Sequence, residues 1–426
     1  MRVVLVHGAY FNSWEALGLG YIGAYLRKHV PNVDLRFFQG CFDDRSLIVY
    51  ASCGADVVAF SATSPTYAWC RDVAKQIKEA SPHTLTVIGG YHASAVPQDC
   101  TDFDYVVCGE GEQAMSSILG QGPIEPGAKL RITYGPRSIL SWPDLPWPDR
   151  KLIKCERNIA VAQKDTGKRI TSFQAHRGCP YHCIFCADGQ RVLGRHDMIH
   201  RPVGDLLDEM QSVAEEYRLD FARFCDATWN VDKRWVKEFC HGKIKRDFRL
   251  PFFADLHAGP VDAEMMSLMR EAGCEAVGIG VESGASEILR SCGKGTTRKM
   301  IYKARLLAHR AGIKVRGYFL IGLPGETNET LLDTEEFAAG LDLDEYSFTL
   351  FCPYPGTAVY KADPARFKDV AWGTTDECSN DFWLTEALTN AELKAWQTRL
   401  VAKFRDKATW HHRVLGRNAS NVPNPD

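Results

Sequence analysis

The chain has 426 residues, which at roughly 150 residues per domain fits two or three domains. Apolar residues make up 45% and charged residues 24%, with Gly 35 and Pro 20, so a collagen-like or disordered polymer is excluded. Lys+Arg 51 against Asp+Glu 53 leaves a net charge of −2 and no basic footprint for general nucleic-acid binding. The longest apolar runs, such as 318–323, fall far short of the ~20 residues of a membrane span. The opening MRVVLVHGAY has one Arg and a β-branched run without a cleavage pattern, so it reads as a first strand and not a signal peptide. The expectation is a soluble, cytoplasmic, monomeric protein of several domains.

In chain order, residues 2–7, 34–38, 55–61, 85–89 and 104–108 are short apolar, β-branched runs. Helical stripes at 19–29 and 67–80 stand among them. Such runs separated by helices predict a parallel sheet covered on both faces, a doubly wound Rossmann-like α/β domain over 1–122. Gly122, Pro123, Pro126, Gly127, Pro136, Pro143, Pro146 and Pro148 break periodicity next, so 123–160 reads as a linker with room for a short hairpin. Alternation resumes over 161–360, with strands at 170–175, 221–225, 252–255, 276–281, 315–321 and 346–351. Helical stretches at 203–217, 233–243, 263–272, 298–311 and 328–339 lie between them. Six such steps predict a partial (β/α)6 TIM-type barrel, with chemistry at the C-terminal strand ends. Residues 361–426 read as a short helical region, with a helix over 389–407 begun by Thr389, and a tail. Trp372, Phe382, Trp383 and Trp396 of this region suit either a core or a platform for substrate.

The cysteines number 15, an odd total, and are scattered, so a disulfide scaffold is not expected. Three stand apart in HRGCPYHCIFC: Cys179, Cys183 and Cys186, directly after the first barrel strand. At C-x3-C-x2-C spacing three thiolates reach one soft metal centre. A structural zinc site would draw its fourth ligand from His176 or His182, whereas a three-cysteine cubane leaves one iron open.

That spacing after a first barrel strand, with Phe185 just before the last cysteine, resembles the radical S-adenosylmethionine (SAM) superfamily. Gly280-Val281-Glu282-Ser283-Gly284 is similar to the family's strand-four motif. The run from Gly317 through Gly322 to Thr327 is similar to its strand-five motif, and Cys352-Pro353-Tyr354-Pro355-Gly356-Thr357 to its sixth-strand exit. The resemblance implies that Cys179, Cys183 and Cys186 hold a 4Fe–4S cluster, and that Phe185, Asp226, Glu282, Ser283 and Gly322 lie at SAM. Asp226 stands in Phe224-Cys225-Asp226 where many relatives carry a Gly-Gly-Glu-type segment whose glycines are missing here. Asp255, His257 and Tyr318, at or near strand ends, are the candidate catalytic or substrate-contacting side chains, with hydrogen bonding to neighbouring loops as the alternative.

The first domain resembles the cobalamin-binding domain that precedes many such barrels. The matching stretches are Leu17-Gly18-Leu19-Gly20-Tyr21, Phe60-Ser61-Ala62-Thr63, Gly89-Gly90-Tyr91-His92 and Gly109-Glu110-Gly111-Glu112. Glycine at strand exits lets backbone approach a large flat ligand. The resemblance implies cobalamin contacts from Gly18, Ser61, Thr63, Thr66, Tyr67, Gly89, Gly90, Tyr91, Gly109 and Glu110. D-x-H-x-x-G, which elsewhere supplies a histidine to cobalt, is absent, and His7 and His92 are expected to be hydrogen-bonded loop residues. Gly18-Leu19-Gly20-Tyr21-Ile22-Gly23 is a literal G-x-G-x-x-G, but it stands about ten residues after the first strand, where a dinucleotide fingerprint would follow it directly.

The resemblance implies an enzyme that uses a 4Fe–4S cluster, SAM and cobalamin, with a flavodoxin- or ferredoxin-type reductant. It would methylate an unactivated carbon of a natural-product-type small molecule through a 5′-deoxyadenosyl radical and methylcobalamin. The alternatives are a radical cyclisation, ring contraction or rearrangement without methyl transfer, and a non-catalytic cobalamin- or metal-binding carrier or sensor.

Overall fold

The structure is a computed structural model and describes residues 1–10, 15–120, 131–134, 141–194, 198–375 and 380–407. Strands β1 (Arg2–His7), β2 (Asp34–Gln39), β3 (Val57–Ser61), β4 (Leu85–Gly89), β5 (Tyr105–Cys108) and β6 (Arg131–Tyr134) form one sheet in the order β2-β1-β3-β4-β5-β6. Every neighbouring pair is parallel. Successive side chains of a strand point to opposite faces, and both faces here are buried. Val3 and Leu5 join Val57, Ala59, Val87 and Val107 in one core, while Val4 and Val6 join Val58, Phe60, Ile88 and Val106 in another. This is why the strands read as unbroken apolar runs.

Chain order reverses between β1 and β3, so the crevice of the sheet opens beyond His7 and Ser61. The helix Ser64–Ala80 starts there on a reciprocal box. Thr63 and Thr66 cap each other's backbone, and Pro65 occupies the first turn.

One expectation is corrected. The stretch read as a linker contributes β6, paired in parallel with β5 from Tyr105↔Arg131 to Cys108↔Tyr134. A four-residue edge strand flanked by Gly and Pro is too short to show a period, and pairing with β5 is what orders it. The same stretch brings Trp142 and Leu145 against Tyr21 and Tyr25 of the helix Leu17–His29.

The second sheet is built from β7 (Ile170–Phe173), β10 (Phe221–Phe224), β11 (Phe252–Leu256), β12 (Cys274–Glu282), β13 (Lys314–Ile321) and β14 (Glu345–Leu350). A separate two-stranded ribbon joins β8 (His176–Arg177) to β9 (Ile199–His200). The six strands lie in sequence order, all parallel, with β7 and β14 as edges, which is the open (β/α)6 barrel. Helices Val203–Tyr217, Lys233–Lys245, Ala263–Glu271, Arg298–Arg310 and Asn328–Leu341 cover its outside. The last helix, Asn390–Lys403, starts on a Thr389–Glu392 capping box. Leu393, Trp396 and Leu400 join the main core. Trp383 is also core, and its indole donates to the Gly322 carbonyl at 2.6 Å. Trp372 and Phe382 pack edge to face on each other beside it.

Alternate residues of the barrel strands face the lumen. At its N-terminal end Ile170, Phe221, Phe253 and Ala276 form a small apolar cluster of their own. One pleat higher the lumen turns polar, with Arg223, Asp255, Gly278 and Tyr318.

Candidate active site

The cysteine loop leaves β8 through Gly178, whose φ of 89° only glycine adopts without strain. Cys179 and Cys183 are buried and Cys186 is half-buried. Gly189 lets the loop close on itself, since a Cβ there would lie 2.9 Å from the Cys183 nitrogen. Burial pushes the Cys183 thiol up to about 12 and that of Cys186 up to about 11, and each feels the charge of its neighbours. Neutral thiols are poor ligands, so thiolates persist here only around a cationic centre. Three thiolates on one short loop are the donor set that a cubane with one open iron takes, so the residues fit an iron–sulfur cluster. The two histidines weighed as a fourth ligand are placed otherwise. His176 meets the Trp229 carbonyl and the His200 ring, both at 3.1 Å, and His182 is exposed.

Glu282 sits at the end of β12, beyond a bulge, with a left-handed φ of 64°. Its carboxylate pairs with Lys294, whose ammonium also donates to the Gly280 carbonyl at 2.9 Å. Lys294 is the residue the sequence reading missed. Its side chain is 12% exposed, Glu282 keeps it charged, and its charge pulls the Cys183 thiol down against the burial effect. The signal was a lone Lys in Cys292-Gly293-Lys294-Gly295, and only the fold turns that loop toward the cysteines. Gly293 is wedged there, a Cβ being only 2.7 Å from the His182 carbonyl, and the Cys292 carbonyl accepts from the Ile184 nitrogen.

The other residues expected at SAM have structural partners. Ser283 meets Thr334 at 3.1 Å and accepts from Ala285, and Gly322, at φ 91°, donates to Glu326. Phe185 packs on the main core. Asp226 accepts from the Ala175 nitrogen at 3.0 Å and from that of His176, which ties the β10 exit to the start of the cysteine loop. It is therefore a strut for the loop, and burial pushes its carboxyl up to about 8.

In the lumen the Tyr318 hydroxyl donates to Asp255 at 2.8 Å. A Cβ at Gly278 would lie 2.0 Å from that carboxylate, so the glycine makes the room for the pair. Burial raises the Asp255 carboxyl while Arg223 opposes the shift, and burial lowers the Arg223 guanidinium. His257, expected beside them as a substrate contact, is instead stacked on Tyr181 of the cysteine loop at 3.8 Å and bonded to the Lys294 carbonyl at 3.1 Å. Its place is under the loop.

At the exit edge of the first sheet the residues expected around a corrin divide. Ser61, Gly89 and Gly90 end β3 and β4. Gly90, at φ 96°, lets backbone meet backbone, because a Cβ would lie 2.6 Å from the Ala62 carbonyl. Thr63 and Thr66 hold the helix start. Tyr67 stacks on His92 at 4.0 Å and donates to the Asp99 carbonyl. His92 also meets Ser64 at 3.0 Å, leaving a buried Nε2 without a partner among the described residues. The buried His7 Nδ1 at the crevice is likewise unpartnered. Orphaned polar atoms beside glycine-rich exits fit a large ligand with polar substituents. Gly18 lies within the first helix, and the glycines after it serve packing. A Cβ at Gly23 would lie 2.3 Å from Leu152, and one at Gly20 3.1 Å from Pro148. The G-x-G-x-x-G pattern is thus a helix face against residues 148–152. Two residues expected at cobalamin reach the other domain. Glu110, after Gly109 at φ 86°, pairs with Arg177, as does Glu112, and the Tyr91 hydroxyl donates to Asp188.

Residues 174–338 match the family model of the radical SAM superfamily and residues 3–119 that of the B12 binding domain. The chain thus combines a B12-binding domain with a radical SAM domain that follows it, the domain order of cobalamin-dependent radical SAM enzymes. It is 28% identical to an uncharacterized methyltransferase of Pyrococcus horikoshii over 81% of this chain and 77% of that protein. It is 25% identical to the anaerobic magnesium-protoporphyrin IX monomethyl ester cyclase of Rubrivivax gelatinosus, over 85% of this chain and 70% of that one. The radical SAM methyltransferase TsrM of Kitasatospora setae, solved with cobalamin and a [4Fe-4S] cluster, shares the fold at a TM-score of 0.73, with 97% of each chain covered and 16% identity.

Proposed function

We propose that this chain is a cobalamin-dependent radical SAM methyltransferase that acts on an unactivated carbon of a small molecule held in the barrel lumen. The observation that carries the reading is the seating of the cysteine loop directly against the exit edge of the first sheet, through Arg177 with Glu110 and Glu112. When bound, the cluster, SAM and cobalamin supply radical formation and methyl transfer. Cys179, Cys183 and Cys186 hold the cluster by its irons. Lys294 offsets thiolate charge, and with Glu282 it presents a cation and an anion to the amino-acid end of SAM. Asp255 and Tyr318 offer a hydrogen-bonded acid and hydroxyl to substrate below. The closed loops around them exclude water, which a carbon radical requires. No helix of the described residues is long and apolar enough to cross a membrane, and a flavodoxin- or ferredoxin-type protein is the proposed reductant.

The likeness to a cyclase supports a second reading, ring formation without methyl transfer. Incubation of the reduced enzyme with methyl-labelled SAM and candidate substrates separates the two. Label in product is expected, whereas 5′-deoxyadenosine formed beside an unlabelled product means the second reading, and neither product means a carrier without turnover.

A further inference from the structure

Both flanks of the cysteine loop are fastened to the first domain, at two different strand exits. Two residues before Cys179, the Arg177 guanidinium meets Glu110 at 3.1 Å and Glu112 at 2.8 Å, with all three side chains no more than 5% exposed. The same guanidinium lies 5.0 Å from the Tyr21 ring centre and 5.3 Å from that of Trp142, which fixes its plane. Two residues after Cys186, Asp188 accepts from the Tyr91 hydroxyl at 2.8 Å. Glu110 and Glu112 follow β5 and Tyr91 follows β4, so the two ties straddle adjacent exit loops. A third contact closes the triangle. Gly356, at φ 94°, has room only for hydrogen, since a Cβ would lie 2.4 Å from Val192 of the cysteine segment and 3.1 Å from Ala95 of the first domain.

We infer that Arg177–Glu110/Glu112 and Tyr91–Asp188 form a two-point clamp that fixes the separation between the cluster and the ligand on the first sheet. The inference rests on the functional reading above for the identity of that ligand. These side chains are positioning residues, acting through the loop that holds the cysteines. One tie alone leaves the loop free to pivot about it. Two ties on opposite sides of three cysteines remove that freedom. A fixed separation would suit chemistry in which SAM at the cluster and the ligand of the first sheet must both reach one substrate, because small misplacements cost large factors in rate.

The clamp is tested first on the full chain without cofactors. Hydrogen exchange is followed at 105–112 and 176–190 in the wild type, Tyr91→Phe and Glu112→Gln. Glu112→Gln keeps shape but strands part of a buried ion pair, so Tyr91→Phe, which loses one hydroxyl, is the variant safe for folding. Tyr91→Phe should speed exchange in the cysteine loop about tenfold, as one charge-assisted hydrogen bond predicts, with the urea midpoint lowered by no more than that one bond and an unchanged m value. Unchanged exchange in both variants overturns the clamp. In reconstituted protein, the dipolar distance between the reduced cluster and cob(II)alamin should be narrow in the wild type and broadened in both variants. An equally narrow distribution in all three overturns the role in spacing. A wild type that binds the cluster and no cobalamin refutes the functional reading, while the exchange result still decides the clamp.

Discussion

Lys294 closes on Glu282 inside the barrel mouth, a buried ion pair formed across a twelve-residue gap and placed beside Cys183. Burying two charges is offset only by good geometry and further hydrogen bonds, and here the Gly280 carbonyl supplies one. The pair is proposed as a binding device for the amino-acid end of SAM, since a cation and an anion side by side match an ammonium and a carboxylate.

That reading has a measurable form. Glu282→Gln should lower the thermal midpoint, because removing one partner of a buried pair costs about 3–5 kcal/mol, and it should weaken SAM binding with iron content unchanged. The double variant Glu282→Gln/Lys294→Met should recover stability but not SAM affinity. Recovery of both would make the pair purely structural.

Replacing Cys179, Cys183 and Cys186 together by Ala should remove the visible absorbance, the bound iron (about four atoms per chain for a cubane) and all SAM cleavage. Metal analysis of anaerobically reconstituted protein checks this. Stoichiometric zinc in the wild type, or cleavage retained in the triple variant, would end the assignment.

Gly278→Ala should separate the radical step from the substrate step. The added methyl displaces Asp255 from Tyr318 while leaving the cysteines and Lys294 untouched. Cleavage of SAM without substrate should stay within about twofold, and product formation should fall at least about tenfold, the loss of a buried hydrogen bond. Tyr318→Phe should act in the same direction. Parallel loss of both activities in both variants would place the pair outside the substrate site.

Acid should destabilise the chain through its buried histidines, among them His7 and His92 of the first domain. Burial lowers His7 and His92 from 6.5 to about 4. The unfolded chain therefore takes up protons between about pH 6.5 and 4 that the native state refuses, and stability falls as pH drops through that window. Asp226, raised to about 8, works in the opposite sense, binding its proton in the native state first. Urea midpoints at pH 7 and 5 should show a smaller drop in His92→Gln than in the wild type. An equal drop would show that His92 is not buried neutral.

The sequence by itself determined the strands of both sheets except β6, the order of the two folds and the cysteine loop on the first barrel strand. Those are local properties. Apolar runs of four to nine residues, capping threonines such as Thr389 and thiols a few positions apart carry their meaning within one segment. Asp255 and Tyr318 were legible as inward residues at or near strand ends, and the structure pairs them. What only the tertiary structure decided was which charged side chains meet. Glu110 and Tyr91, expected at a corrin, also tie the first domain to the other one, through Arg177 and Asp188. Asp226 became a strut, His257 a support under the loop, and Lys294 emerged as a site residue without any motif. The reason is physical. An exposed charge has no preferred partner along the chain, and its pairing is set only when burial strips its water and leaves whatever opposite charge the closed fold has brought within reach.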